Sequence, residues 1–598
     1  MSGRTRAPRR RAATLLVLLV GWLLTALVSA GPAAAHATLI STDPAEGARL
    51  DAAPDEVTLQ FSEGVLLGAG YARVLTATGD EVDGGEPSVE GRELRVPLPD
   101  DLGDGGYLVT YRVVSADSHP ISGAFSFVVG EGELVPAGTA AAEADADPVV
   151  AALLPALRAI GFAGIALAVG VPVLALLCWP AAWAAPRMRR LAVGGALAVV
   201  VSAVLTFLLQ GPYAAGSGVG TAFTGSLLSA TASSGTGWAL LARVVLALAL
   251  AAALAPAWRS GTAPERPALA GAAVFAAGLV VATAATGHPV AGPWPLLAVT
   301  VATVHVAAMA VWLGGLAGLL VGLVRPGPDT TDVAEALPRF SRIAFATVAA
   351  LVVSGIVQAV REVGSPTALL DSTYGGVLLA KVALVLVVLG AAGVSRVWVQ
   401  QRLGVRRTRA TSGHRVTAQA FAAAPAGGID DEDGSAASRG RVQGENAVDH
   451  LPSLRRSMLV EVAVAAVVLV LSGVLVGTPP ARSAVADPVD VTLPLQGTGG
   501  EAGSVQVSVD PAQPGANVLH VYLFDADGRA TQPAGIEVSL TEEDQGIGPL
   551  DVEIAGAGPG HYTADAMTIP GAGTWTLTVT LRLDEFTATR ASTEFPVR

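Results

Sequence analysis

Eight apolar runs set the terms for anything this chain can fold into. They lie at about 150–183, 191–211, 237–258, 267–287, 295–323, 343–361, 374–396 and 457–477. Each is long enough to cross roughly 30 Å of hydrocarbon as an α-helix, so residues 150–482 read as an eight-helix transmembrane bundle. Of all residues 52% are hydrophobic and only 15% charged, with mean hydropathy +0.54, which excludes an ordinary soluble protein. The 598 residues leave room for about two soluble domains, each able to bury a core.

Orientation follows from charge. Residues 1–35 open with Arg4, Arg6, Arg9, Arg10 and Arg11, continue through an apolar stretch from Ala12 to Val28 and end in Ala33-Ala34-Ala35, the pattern of a secretory signal peptide with an A-x-A cleavage site. Cleavage after Ala35 makes His36 the first residue of the mature chain. The loops after the first, third and fifth runs carry Arg187, Arg189 and Arg190, then Arg259 and Arg266, then Arg325, Arg339 and Arg342, and the loop from 396 to 456 holds ten arginines. Placing these inside, as the positive-inside rule requires, puts both soluble regions on the extracytoplasmic side of a multi-pass plasma-membrane protein. Residues of about 403–454 read as a disordered cytoplasmic tether, because the stretch from Ala420 to Asn446 is nearly devoid of large apolar side chains. His414 and His450, in or beside it, read as solvated.

Residues 36–130 show short alternating runs, such as Val57 to Phe61, Tyr71 to Leu75, Tyr107 to Val114 and Ala124 to Val129, separated by Gly, Pro and Asp turns. That pattern is a β-sandwich, joined to the bundle by an acidic linker at 131–149. Between His36 and Asp147 lie 21 acidic and 5 basic residues, which argues against nucleic acid and suits a cation partner. The single cysteine, Cys178, excludes a disulfide framework and a CxxC metal site, leaving histidine, methionine and carboxylates. A mature N-terminal His36 offers an amine and a ring nitrogen. With the imidazole of His119 it makes a T-shaped three-nitrogen set that favours Cu(II), and Asp117 can supply an oxygen ligand or a supporting hydrogen bond.

The segments His36-Ala37-Thr38-Leu39, Asp43-Pro44-Ala45-Glu46-Gly47, Leu59-Gln60-Phe61-Ser62-Glu63 and Tyr111-Arg112-Val113-Val114-Ser115-Ala116-Asp117-Ser118-His119-Pro120-Ile121-Ser122-Gly123 resemble the periplasmic copper-binding family CopC. The resemblance implies His36, Asp117 and His119 as Cu(II) ligands, with the Glu63 carboxylate beside the site. Residues 36–150 contain no methionine, so the Met-rich Cu(I) site of some family members is not expected.

Polar groups in the apolar runs are costly and therefore informative. His305, Met309 and Trp312 follow i, i+4, i+7 spacing and share a helix face suited to a soft cation, Cu(I) in a copper protein. His288 lies at the outer end of the fourth run and Cys178 near the inner end of the first. One reading is a copper path from His288 through His305 and Met309 towards Cys178; the other is that such a histidine hydrogen-bonds a neighbouring helix. Arg158, Arg243 and Lys381 fit snorkelling, or pairing with Glu362 or Asp371, better than a cation path. The segments His305 to Gly315, Arg339-Phe340-Ser341-Arg342, Tyr374-Gly375-Gly376 with Leu379-Ala380-Lys381, and Thr478-Pro479-Pro480-Ala481-Arg482 resemble the membrane family CopD, which implies copper movement across the membrane in concert with CopC.

Residues 487–598 read as a second β-sandwich that resembles YtkA-like extracytoplasmic domains through Pro514-Gly515-Ala516-Asn517 and Gly571-Ala572-Gly573-Thr574-Trp575. His520, His561 and Met567 are its candidate metal ligands. The expected function is copper capture outside the membrane and passage inward, with copper ions, the lipid bilayer and other extracytoplasmic copper carriers as partners. The alternatives are copper resistance by export or sequestration, and a copper-dependent oxidative enzyme. No reductase motif or ATP-binding loop is visible, and the fusion to eight spans weighs against an enzyme.

Overall fold

The computed structural model describes residues 39–597 apart from 62, 83, 116–118, 134, 136–146, 292–293, 325–329, 403–450, 485–488, 498–499, 511, 513, 527–528, 530, 544, 559 and 583–587. The signal segment, His36, Asp117, His414 and His450 lie outside the described residues.

Among the described residues the N-terminal domain is a sandwich of nine strands: β1 (Leu39–Asp43), β2 (Arg49–Leu50), β3 (Glu56–Phe61), β4 (Val65–Thr76), β5 (Glu81–Val82), β6 (Ser88–Glu90), β7 (Glu93–Pro97), β8 (Gly105–Ser115) and β9 (Pro120–Val129). One sheet has the order β1-β3-β7-β6 and the other β2-β9-β8-β4-β5. Alternation along the strands sends Val57, Leu59, Phe61, Val109, Val113, Phe125 and Phe127 into a shared core, as two packed sheets require. Tyr111 pairs with Gly123 across β8 and β9. A side chain at Gly123 would overlap the Tyr111 ring.

Among the described residues the bundle has eight helices long and apolar enough to cross a membrane: α1 (Pro148–Leu177), α2 (Pro186–Ala215), α4 (Gly235–Ser260), α5 (Arg266–Ala284), α6 (Pro295–Gly322), α7 (Thr330–Val363), α9 (Thr373–Arg402) and α10 (Leu451–Leu475). Shorter helices α3 (Gly225–Ser233), α8 (Pro366–Asp371) and α11 (Ala481–Ala484) lie between and after them. Asp147 caps α1 by accepting from the backbone of Val149 and Val150, with Pro148 in the first turn. Helices α1 and α6 run parallel in near backbone contact. A Cβ at Gly314 would stand 1.8 Å from the Ala166 carbonyl oxygen, and one at Gly170 2.1 Å from that of Ala310. Small residues permit such an approach in lipid, where packing substitutes for the hydrophobic drive.

Helix α7 begins at Thr330, well ahead of the apolar run at 343. Its first turns are amphipathic: Val333, Ala336, Leu337 and Phe340 are buried in the bundle core at helical spacing, while Arg339 pairs with Glu335 on the other side. Arg339 and Arg342 are thus helical rather than loop residues. Similarly, α10 begins at Leu451.

The C-terminal sandwich has strands β10 (Val489–Gly497), β11 (Gly500–Asp510), β12 (Gly515–Phe524), β13 (Gly535–Glu542), β14 (Ile547–Val552), β15 (Ala555–Gly558), β16 (His561–Ile569), β17 (Gly573–Arg582) and β18 (Ala588–Val597). Sheets β10-β11-β12-β16-β15 and β14-β13-β17-β18 enclose a core around the fully buried Trp575.

Candidate functional site

His119 sits at the turn between β8 and β9, where its carbonyl accepts from both the backbone and the hydroxyl of Ser115 at 2.9 and 3.0 Å. The turn points at the bundle, and Arg112 fixes it there. That side chain is 2% exposed and donates to the Ala214 carbonyl at 2.5 Å and the Tyr213 carbonyl at 3.1 Å. These carbonyls belong to the last turn of α2, where backbone acceptors lack intrahelical partners and the helix dipole favours a cation.

From the bundle side, Gly287 at φ 70° adopts the left-handed conformation glycine tolerates and turns the chain out of α5, presenting His288. The His288 carbonyl accepts from both terminal nitrogens of Arg361 at 3.1 Å. Arg361 also donates to the Ala291 carbonyl and to Glu362 at 2.8 Å. The two imidazoles then stack: the ring centroids of His119 and His288 are 5.4 Å apart, with 29° between planes. Both rings are buried. Tyr374 stands 6.3 Å from His288 on another side.

A carboxylate stands beside the pair. His288 Nδ1 lies 3.9 Å from Glu362 Oε2, and Arg482 Nη2 lies 3.8 Å from the same oxygen. Burial holds the Arg482 guanidinium below its ordinary value, with Glu362 and Glu63 opposing that shift. Glu63 therefore belongs to the same electrostatic cluster. Leu39, the first described residue, pairs with Phe61, two positions before Glu63. Glu362 takes its charge partners from Arg361 and Arg482 rather than from Arg158, Arg243 or Lys381. Arg243 instead donates to the Ala282 carbonyl and the Thr286 hydroxyl.

His119 also lines a cavity of about 90 Å³ with Arg158, Gln210, Arg243, Thr283 and Thr286. Its walls hold two guanidiniums and neither sulfur nor carboxylate, so this cavity offers a soft cation nothing beyond His119. Among the described residues no three His, Cys, Asp or Glu side chains converge as a metal site.

Deeper in the bundle, His305 Nδ1 is 2.8 Å from the Ser354 hydroxyl. That hydroxyl also lies 2.6 Å from the Ala350 carbonyl and 3.2 Å from that of Leu351; with its hydrogen given to a carbonyl, its oxygen accepts from His305 Nδ1–H, the tautomer that leaves the lone pair on Nε2. A ligand histidine is commonly anchored in this way through its other nitrogen. Met309 is buried one turn further on. Cys178 is remote from both: α1 and α6 keep register from Gly170 against Gly314 to Trp179 against Gly322, which puts Cys178 about 20 Å beyond Met309 along α6. Met188 packs against Gly318 and Gly322, and Met458 is buried in the same core. Neither stands out in the sequence. Glu461 does, as a carboxyl inside an apolar run, yet it is absent from the expected site. It is 2% exposed and accepts from Ser395 at 2.5 Å.

In the C-terminal domain, His520 and His561 meet at 3.1 Å. Met567 does not join them. It faces the inter-sheet core, whereas the histidines stand on the opposite face of their sheet, and six residues of strand span about 20 Å.

A histidine-bearing β-sandwich docked on eight membrane-length helices defines a multi-pass membrane protein with an appended β-sandwich domain. Residues 39–130 match the CopC domain, 146–294 the copper resistance protein D-like N-terminal domain, and 334–428 copper resistance protein D. The chain belongs to the family of copper resistance and transport proteins that join a CopC domain to a CopD membrane domain. It is 28% identical over 386 residues to copper transport protein CutJ of Bacillus subtilis (strain 168), covering 62% of this chain and 70% of CutJ. Copper resistance protein C of Pseudomonas syringae pv. tomato is 34% identical over 131 residues, 20% of this chain and 96% of that protein. Among solved structures, CopC from Methylosinus trichosporium OB3b is 30% identical, covering 16% of this chain and 96% of that one, with a TM-score of 0.15.

Proposed function

We propose that the chain captures Cu(II) outside the cytoplasmic membrane and passes copper inward, without catalysing a reaction of its own. The Cu(II) ligands are His36, through its amine and ring, Asp117 and His119, with Glu63 beside them. The observation that carries this reading is the stacking of His119 on His288 at 5.4 Å, a ligand of the soluble domain set against a histidine of the membrane domain. A copper ion leaving His119 has its next imidazole within reach, and Glu362 and Glu63 offset its charge during the exchange. Inside the bundle, His305 Nε2 and then Met309 are the next donors, and Cys178 lies at the far end of the path. The arginine loops and the signal segment support an outward-facing N-terminal domain, and the names of CutJ and copper resistance protein C support copper as the cargo.

The test is total copper in cells with and without the chain, together with His288→Ala and His305→Gln variants at matched protein level. The expected result is a rise with the parent chain that either variant abolishes. A fall would replace inward passage by export, and unchanged copper with His288→Ala would remove the hand-over from the mechanism.

A further inference from the structure

The C-terminal sandwich buries two histidines outside the core between its sheets. On β12, Leu519, Val521 and Leu523 fill the core between the sheets, so the intervening His520 and Tyr522 stand on the other face of their sheet. Both are nevertheless buried, at 3% and 8% exposure. β16 adds His561 to the same face: Tyr522 pairs with His561 and His520 with Thr563, which makes the two histidines diagonal neighbours.

Their geometry is that of a ligand pair. His520 Nδ1 and His561 Nε2 face each other at 3.1 Å. Tyr522 stacks on His561 with centroids 4.4 Å apart and 15° between planes, holding that ring in orientation. His520 Nε2 is buried with no hydrogen-bond partner among the described residues. A hydrogen bond between two imidazole nitrogens requires that one of them keep its lone pair, so the accepting ring is a neutral base. A purely structural position would bury apolar groups here and leave no polar atom unsatisfied.

The donor set selects the ion. Zn(II) sites are almost always four-coordinate, and Cu(II) prefers tetragonal nitrogen and oxygen ligation. Within the described residues no third His, Cys or carboxylate joins the pair. A monovalent d10 ion satisfied by two neutral nitrogens, with little charge to desolvate, fits. We propose that His520 and His561 form a Cu(I) site in the C-terminal domain, separate from the Cu(II) ligands of the N-terminal domain; the choice of copper rests on the proposed function. With metal–imidazole bonds of about 2 Å, a linear pair stands about 4 Å apart, so the rings open by roughly 1 Å on binding. The hydrogen between them moves to the outer nitrogen of the ring that carried it. Both rings stay neutral and no proton is released.

The experiment is an anaerobic Cu(I) titration of the full chain against a chromogenic Cu(I) chelator, comparing the parent with His561→Gln and with the apolar double variant His520→Phe/His561→Leu. The double variant removes both polar partners and keeps the volume, so it is expected to fold. Both are expected to bind one Cu(I) equivalent fewer than the parent. Equal Cu(I) stoichiometry in parent and double variant would overturn the site. The Cu(II) resonance signal, recorded on separate aliquots of each protein loaded with one equivalent of Cu(II) in air, reports the N-terminal ligands independently. Loss of that signal with the Cu(I) equivalent intact would count against the proposed function and leave this site standing.

Discussion

Arg112 shows how much one side chain can decide here. A guanidinium at 2% exposure is tolerable only if its donors find partners, and two α2 carbonyls take its Nε and one terminal nitrogen. Hydrogen bonds to charged groups contribute roughly 1.5–3 kcal/mol each, so Arg112→Ala should loosen docking of the sandwich on the bundle without unfolding either part. Hydrogen exchange in detergent is expected to rise at the end of α2 and at the β8–β9 turn. Exchange identical to the parent would mean that docking rests elsewhere. Arg112 lies within the segment that resembles CopC, yet its partner was not readable there: the α2 carbonyls are backbone groups, and only the docked fold brings them near. The same holds for His119 and His288. Each is visible in the sequence as a candidate, but their contact is not.

At the scale of elements, hydropathy marks every membrane-length helix because lipid leaves the backbone few choices. It misses the start of α7, where one face packs in the core and the other carries charge, so that the mean falls while the periodicity remains. The β-sandwiches are legible from alternation and turns. Met567 looked like a partner for His520 and His561 because a strand's sidedness depends on register, and β16 shifts register between its pairings with Leu519 and Asn517. The α1–α6 contact is likewise readable only in part. Glycines recur in both helices, but the tightest lie at Gly170 and Gly314. Overpacking a tight core typically costs 1–3 kcal/mol, and a Cβ overlapping backbone has no side chain to push aside. Gly314→Val is therefore expected to cut the yield of folded protein severalfold by size-exclusion chromatography. Gly376→Ala, where nothing lies within 4 Å of the added carbon, should match the parent. Equal behaviour of the two variants would remove close packing as the glue between α1 and α6.

For the molecule as a whole, capture and transfer depend on events at distant points of the chain. The His119 turn and the Arg361-braced His288 turn come together only when the sandwich is seated on the bundle. The proposed Cu(II) chelate further requires that His36 carry a free amine, which exists only after the signal segment is removed. An amide nitrogen in an unbroken chain holds its hydrogen and offers no comparable lone pair. A chain that keeps its signal should therefore fold, dock and still lack the chelate. Ala33→Leu combined with Ala35→Leu removes the small residues that cleavage needs. The uncleaved protein is expected to bind Cu(II) at least tenfold more weakly than the processed chain, about 1.4 kcal/mol or more, with the His119–His288 contact and the helical content unchanged. Competition titration against a Cu(II) chelator, with intact mass confirming the retained signal, measures this directly. Equal affinity would show that the amine is no ligand, and the capture site would then have to be built from His119, Asp117 and the carboxylate of Glu63.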